Sequence, residues 1–121
     1  MKVRELTLDQ WADECYGESA ERGWWKPGDQ FDPIIMASKI ALIHSEVSEM
    51  LEGLRKGLAD VHLPHRSSEE VEAADIFIRL MDYCGARNLD ILSAVIEKME
   101  YNITRADHQA DARTAEGGKK F

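Results

Sequence analysis

No apolar run in this 121-residue chain approaches the roughly 20 residues that span a bilayer, and its polar start, MKVRELTLDQW, lacks the apolar segment of a signal peptide. Period-two alternation never exceeds a few residues, and there is no internal repeat or low-complexity block, so neither a sheet nor a solenoid is expected. Cysteine is scarce. Cys15 and Cys84 have no C-x-x-C or zinc-ligand spacing and read as reduced core residues, which suits a cytosol. The EF-hand loop, H-E-x-x-H, the G-x-x-x-x-G-K-[ST] phosphate loop and the Glu-x-x-His pairs of ferritin-like di-iron bundles are all absent. Positive charge is in deficit: 15 Lys and Arg against 23 Asp and Glu leave a formal net charge of -8. Such a chain is repelled by nucleic acid and by anionic membranes over a screening length of about 10 Å. A soluble, cytoplasmic protein with no nucleic-acid and no membrane partner is therefore expected, and any anionic ligand must arrive with a cation.

What is present is helical periodicity. Leu8, Trp11, Ala12, Cys15, Tyr16 and Ala20 recur at helical intervals, and Thr7 with Gln10 forms a capping box, so a first helix runs to about Arg22. The segment GWWKPGDQFDP sets two glycines and two prolines among three aromatics and reads as an ordered loop. Asp32 then caps a second helix with Pro33 in its first turn. Its apolar stripe is Met36, Ala37, Ile40, Ile43, Val47, Met50, Leu51 and Leu54, and Gly53 or Gly57 ends it. After the loop LADVHLPHRS, a second capping box, Ser67 with Glu70, opens a third helix with Val71, Ala74, Phe77, Ile78, Met81 and Cys84 on its apolar side and Gly85 as its close. Asp90 caps a fourth helix with Ile91, Leu92, Val95, Ile96, Met99 and Ile103 on one side. The expected fold is all-α, with residues 1–105 forming one domain and residues 106–121 a tail poor in large apolar residues and expected to be mobile. Four amphipathic helices in so short a chain leave a small core, which a second subunit would complete.

Two pairs of carboxylates stand out. Glu46 and Glu49 lie three apart in the middle of helix two, and Glu72 and Asp75 lie three apart near the start of helix three, so each pair shares a face. If the two helices form an antiparallel hairpin, a rise of about 1.5 Å per residue brings all four level. Carboxylates so placed repel unless neutralised, and hard divalent cations prefer such oxygens. Magnesium keeps several waters and takes phosphate oxygens as further ligands, which suits a phosphate substrate. From spacing alone, a metal site and a merely solvated acidic face fit equally well. On helix four, Lys98, Tyr101, Asn102 and Arg105 fall at i, i+3, i+4 and i+7 and make a polar, cationic stripe. Alone it reads as a solvated face beside Glu97 and Glu100; next to an acidic site its donors can grip phosphate oxygens. Trp24 and Trp25 either stack on a nucleobase or anchor their loop on the core, and one of the two is expected to be structural. His44 reads as a satisfied or partly exposed side chain, and His62 and His65 as a weak metal site on a loop.

Taken together, ALIHSEVSEMLEGLRKG, EEVEAADIFIRLMD, KMEYNITR, the GWWKP segment and the Gly-Lys-Lys-Phe ending resemble the MazG-like nucleotide pyrophosphohydrolases, a branch of the all-α NTP pyrophosphatase superfamily. The resemblance runs from about Trp11 to Arg105 and resumes at the last five residues. It implies a four-helix MazG-like bundle and Mg²⁺-dependent hydrolysis, with Mn²⁺ as a substitute, of a nucleoside or deoxynucleoside triphosphate to the monophosphate and pyrophosphate. Carried over to this chain, Glu46, Glu49, Glu72 and Asp75 would ligate the metal, and Glu46 or Glu49 would orient or deprotonate the attacking water. Lys98, Asn102 and Arg105 would bind the phosphate chain with Tyr101 beside them, and Trp24 and Trp25 would contact the substrate. The family's dimers and tetramers imply a homodimer or homotetramer here, and Lys119 and Lys120 of the tail would fold over the substrate. Some members carry an extra acidic residue just before the first motif glutamate, where this chain has Ser45. Rival readings are a dUTPase, dCTPase or phosphoribosyl-ATP pyrophosphohydrolase of the same superfamily, and a non-catalytic helical dimerisation module.

Overall fold

Two reciprocal caps fix where the first and third helices begin. Thr7 Oγ1 accepts from the Gln10 amide while the Gln10 side chain accepts from the Thr7 amide, and Ser67 and Glu70 repeat the pattern. Each box satisfies two donors that a helix start would otherwise leave open. In a computed structural model the described residues are 5–105 and 117–118; the expected tail and its Lys119 and Lys120 otherwise lie outside them. The elements are α1 (Leu8–Glu21), a 3-10 turn (Asp29–Phe31), α2 (Pro33–Lys56), α3 (Ser68–Ala86) and α4 (Ile91–Thr104). Among the described residues there is no strand, only an isolated bridge between Ala59 and Ser67, so the all-α expectation holds. No helix among them is long and apolar enough to cross a membrane.

The chain divides between Leu89 and Asp90 into two units. In the first, α1 and α2 both pack on α3. Asp32 caps α2 through the Ile34 amide with Pro33 in the first turn, and Gly57 ends it in the left-handed conformation at φ 62°. The connection to α3 is tied at both ends, by Asp60 Oδ2 accepting from the His62 and Leu63 amides and by the Ser68 amide donating to the Leu58 carbonyl. Gly53 of α2 faces Ser68 of α3, whereas Glu46 meets Arg79, so the pair is antiparallel. The second unit contributes α4, capped by Asp90 through the Ser93 amide.

The core of the first unit gathers on the C-terminal half of α3. Met81, Cys84 and Ala86 are buried with Ala12 and Cys15 of α1 and with Trp25. Trp11 stands edge-on to Phe77 with ring centroids 5.6 Å apart, and Tyr16 meets Trp25 in the same way at 6.1 Å. Both cysteines are free and buried, as expected, and burial pushes the Cys15 thiol up to about 11, with the charges of Asp82, Glu18 and Glu14 adding to it.

Two sequence expectations need correcting. The α2 stripe is not the face that α3 covers: Ile40, Val47, Leu51 and Leu54 are 42–59% exposed, while the buried residues of α2 are Glu46 and Gly53. At about 100° per residue, the line from Glu46 to Gly53 lies roughly a quarter-turn or more around the helix from Val47 and Leu51. The face that packs on α3 is thus the one carrying the first acidic motif. Nor does Gly85 close α3, which continues to Ala86 with Arg87 as its cap. Gly85 is there because α1 crosses so closely that a Cβ would overlap the Ala12 carbonyl oxygen and the Tyr16 side chain.

That crossing gives a signed prediction. In an open helix interior Gly→Ala stabilises by about 1 kcal/mol, but overpacking costs about 1–3 kcal/mol, and backbone is what the new methyl would meet. Gly85→Ala should therefore lower the melting temperature, whereas Gly17→Ala, with nothing within 4 Å of its added Cβ, should raise it. Equal or higher stability in Gly85→Ala would contradict the close α1–α3 crossing.

Candidate metal centre

The side chains that α2 and α3 turn toward each other are ionic. Along α3, Glu72, Asp75, Arg79 and Asp82 follow a 3-4-3 spacing, which keeps them on one stripe. Opposite them on α2, Glu46 is 7% exposed. Glu46, Glu72 and Asp75 each offer a carboxylate oxygen, and the three oxygens lie within 4.8 Å of one another. Arg79 Nε donates to Glu46 Oε1 at 2.8 Å. Glu72 Oε2 is buried with no hydrogen-bond partner.

The electrostatics follow from this crowding. Desolvation pushes the Glu72 carboxyl up to about 7, reinforced by its hydrogen bond with Glu46 and then by the charges of Glu49, Glu46 and Asp75. Asp75 is also raised, first by desolvation and then by Glu46, with Arg79 pulling the other way and Asp60 adding slightly. One guanidinium therefore faces three carboxylates. The remaining charge calls for protons or a cation. A hard divalent ion suits an all-oxygen donor set, and an orphaned, desolvated carboxylate oxygen is what such an ion would satisfy.

Of the four expected ligands, the structure brings three together and leaves Glu49 exposed at the edge, near enough for its charge to act on Glu72. The expectation that all four come level is met by the other three. Trp25 is the structural tryptophan: it is buried, and its Nε1 donates to Asp82 Oδ1 at 2.8 Å. Trp24 stays 49% exposed, with Arg22 Cζ 5.6 Å from its ring centroid. In the second unit, Lys98 Nζ and Arg105 Cζ lie 4.8 and 5.8 Å from the Tyr101 ring centroid, and Asn102 Oδ1 is buried without a partner. His44, His62 and His65 are exposed and join no metal-ligating group among the described residues.

Sequence reasoning missed Arg79, Asp82 and Lys39. Lys39 Nζ donates to the Trp24 carbonyl at 2.8 Å and sits 4.6 Å from the Trp25 ring centroid. A signal for two of them was available: Arg79 and Asp82 interrupt the apolar run IFIRLMD four and seven residues after Asp75.

The raised carboxyls set a pH dependence. Glu72 keeps its proton in the folded chain from its ordinary 4.5 up to about 7, so the folded state binds more protons than the unfolded state across that window. Stability of the metal-free protein therefore falls as pH rises through it. Thermal melts in EDTA should show this fall, Glu72→Gln should flatten it, and excess Mg²⁺ or Mn²⁺ should restore the melting temperature at the upper end. A metal-free protein that gains stability relative to Glu72→Gln across the window would contradict the crowded site. No protein-family model, curated protein or solved structure matches the chain, so the reading of this site rests on its own geometry.

Proposed function

We propose that the chain is a MazG-like pyrophosphohydrolase, which cleaves a nucleoside or deoxynucleoside triphosphate to the monophosphate and pyrophosphate with Mg²⁺ as cofactor. The observation that carries this reading is the convergence of Glu46, Glu72 and Asp75 from two antiparallel helices, with Glu72 Oε2 buried and unpartnered. It is supported by the order and spacing of the motifs that resemble that family.

In this reading Glu46, Glu72 and Asp75 hold the cation. When bound, it neutralises phosphate charge and polarises the phosphoryl oxygens. Glu49 is exposed beside the group and would orient the attacking water and take its proton. Arg79 fixes the Glu46 carboxylate by its Nε hydrogen bond. The resemblance would give Lys98, Asn102 and Arg105, with Tyr101 beside them, the binding of a phosphate chain, where charge develops on the leaving pyrophosphate. The exposed α2 stripe of Ile40, Val47, Leu51 and Leu54 supports self-association as a homodimer or homotetramer, because contiguous apolar faces of this kind are seldom left to water.

Incubation with nucleoside triphosphates and Mg²⁺, with products separated, is the test. Monophosphate and pyrophosphate should appear in equal amounts, and EDTA should stop their release. Glu49→Ala and Asp75→Asn should each lower kcat by on the order of a hundredfold or more while helix content is kept. Release of diphosphate and orthophosphate, or undiminished turnover in Asp75→Asn at saturating Mg²⁺, would rule the assignment out.

A further inference from the structure

One to two turns beyond the acidic group, the same helix pair opens into a cleft of about 210 Å³ lined by Trp24, Lys39, Leu42, Arg79 and Asp82. It is smaller than the roughly 300–1,000 Å³ of sites for drug-sized ligands, so it suits a planar heterocycle and not a whole nucleotide. Lys39 lies seven residues before Glu46 and Asp82 seven after Asp75, which puts the cleft about 10 Å from the carboxylates along the antiparallel pair. That is the length of a nucleoside with its first phosphate. Arg79 belongs to both places: its Nε is held by Glu46, and no acceptor among the described residues reaches its Nη atoms.

Hydrogen bonding in the cleft is asymmetric. Lys39 and Arg79 offer only donors, and the Lys39 ammonium is already held by the Trp24 carbonyl and the Trp25 ring. Asp82 is the one lining side chain that only accepts. It is 8% exposed, and the Ser19 hydroxyl and Trp25 indole both donate to its Oδ1. No donor among the described residues reaches Oδ2. A phosphate has no donor to offer that open acceptor; an uncharged base with a donor edge would complete it. An exocyclic amine projects beyond its ring and can reach a recessed carboxylate. The ring N–H of an oxo base has a carbonyl oxygen beside it, which would be drawn alongside the carboxylate.

Resting on the pyrophosphohydrolase reading, we propose that this cleft holds the nucleobase and that Asp82 Oδ2 selects bases with an exocyclic amine in the cytosine 4- or adenine 6-position. Trp24, half exposed at the rim, supplies the stacking face. Asp82 is thus a specificity residue of the binding step, remote from the reacting phosphates.

The discriminating variant is Asp82→Asn. Its carbonyl oxygen can keep the bonds from Ser19 and Trp25, while its amide replaces the free acceptor with a donor. Binding is read by tryptophan fluorescence with Mg²⁺ and the α,β-methylene analogues of dCTP against dUTP and dATP against dITP, and hydrolysis of the four parent nucleotides is read with Mg²⁺. Wild type should prefer the amino member of each pair by at least about tenfold, and Asp82→Asn should abolish or reverse that preference at unchanged helix content. Trp24→Ala should weaken both members of a pair alike, by roughly tenfold. If Asp82→Asn does not fold, the wild-type preference together with the uniform loss in Trp24→Ala decides. Equal binding within each pair, a preference that survives in Asp82→Asn, or no binding of any of the four would overturn the proposal. Equal hydrolysis of all four would end it while leaving the pyrophosphohydrolase reading intact. Selective binding with no hydrolysis would do the reverse.

Discussion

Three carboxylates drawn from water into one small space, with a single guanidinium to offset them, constrain everything else in the first unit. Glu46 is buried, Glu72 has a buried oxygen without a hydrogen-bond partner, and Asp75 is raised first by burial and then by the Glu46 charge. Left unneutralised, such a group would push α2 and α3 apart. The helices are held together from both ends instead. Gly53 lets them touch at the loop end, and the Ser67–Glu70 box and the Asp60 turn fix the connection. At the other end, Arg79 of α3 bonds Glu46 of α2, and Lys39 of α2 holds the Trp24 carbonyl beside the Trp25 that donates to Asp82.

Much of this frame is legible in the sequence because caps are local chemistry. Thr7, Asp32, Ser67 and Asp90 each act on an amide two or three residues away, and each does what its neighbours in the chain imply. The E-x-x-E and E-x-x-D pairs also imply their own faces, so the meeting of Glu46 with Glu72 and Asp75 could be read from spacing and an assumed hairpin. Glu49 could not be placed that way. Its helix face turns out of the contact by an angle that packing sets, not periodicity.

What was misread shares one cause. Periodicity tells which residues of α2 are apolar but not which side meets α3, and here α3 covers the acidic side. The same blindness made Gly85 look like a stop signal, when its role depends on a helix that crosses some 70 residues earlier in sequence. Lys39, Arg79 and Asp82 escaped for a related reason. A charged residue in an apolar run is unremarkable until the partner side chain is known, and for Asp82 that partner is a serine on α1 and a tryptophan in the loop. The outward apolar stripe of α2 and the inward ionic stripe of α3 together describe a helix hairpin that turns charge inward and leaves apolar side chains exposed.

Crystals grown with Mn²⁺ and measured at the manganese edge would address the central claim most directly. An anomalous peak is expected, bounded by carboxylate oxygens of Glu46, Glu72 and Asp75, with Arg79 still on Glu46. A well-ordered acidic group with no peak between those oxygens at saturating Mn²⁺ would contradict it.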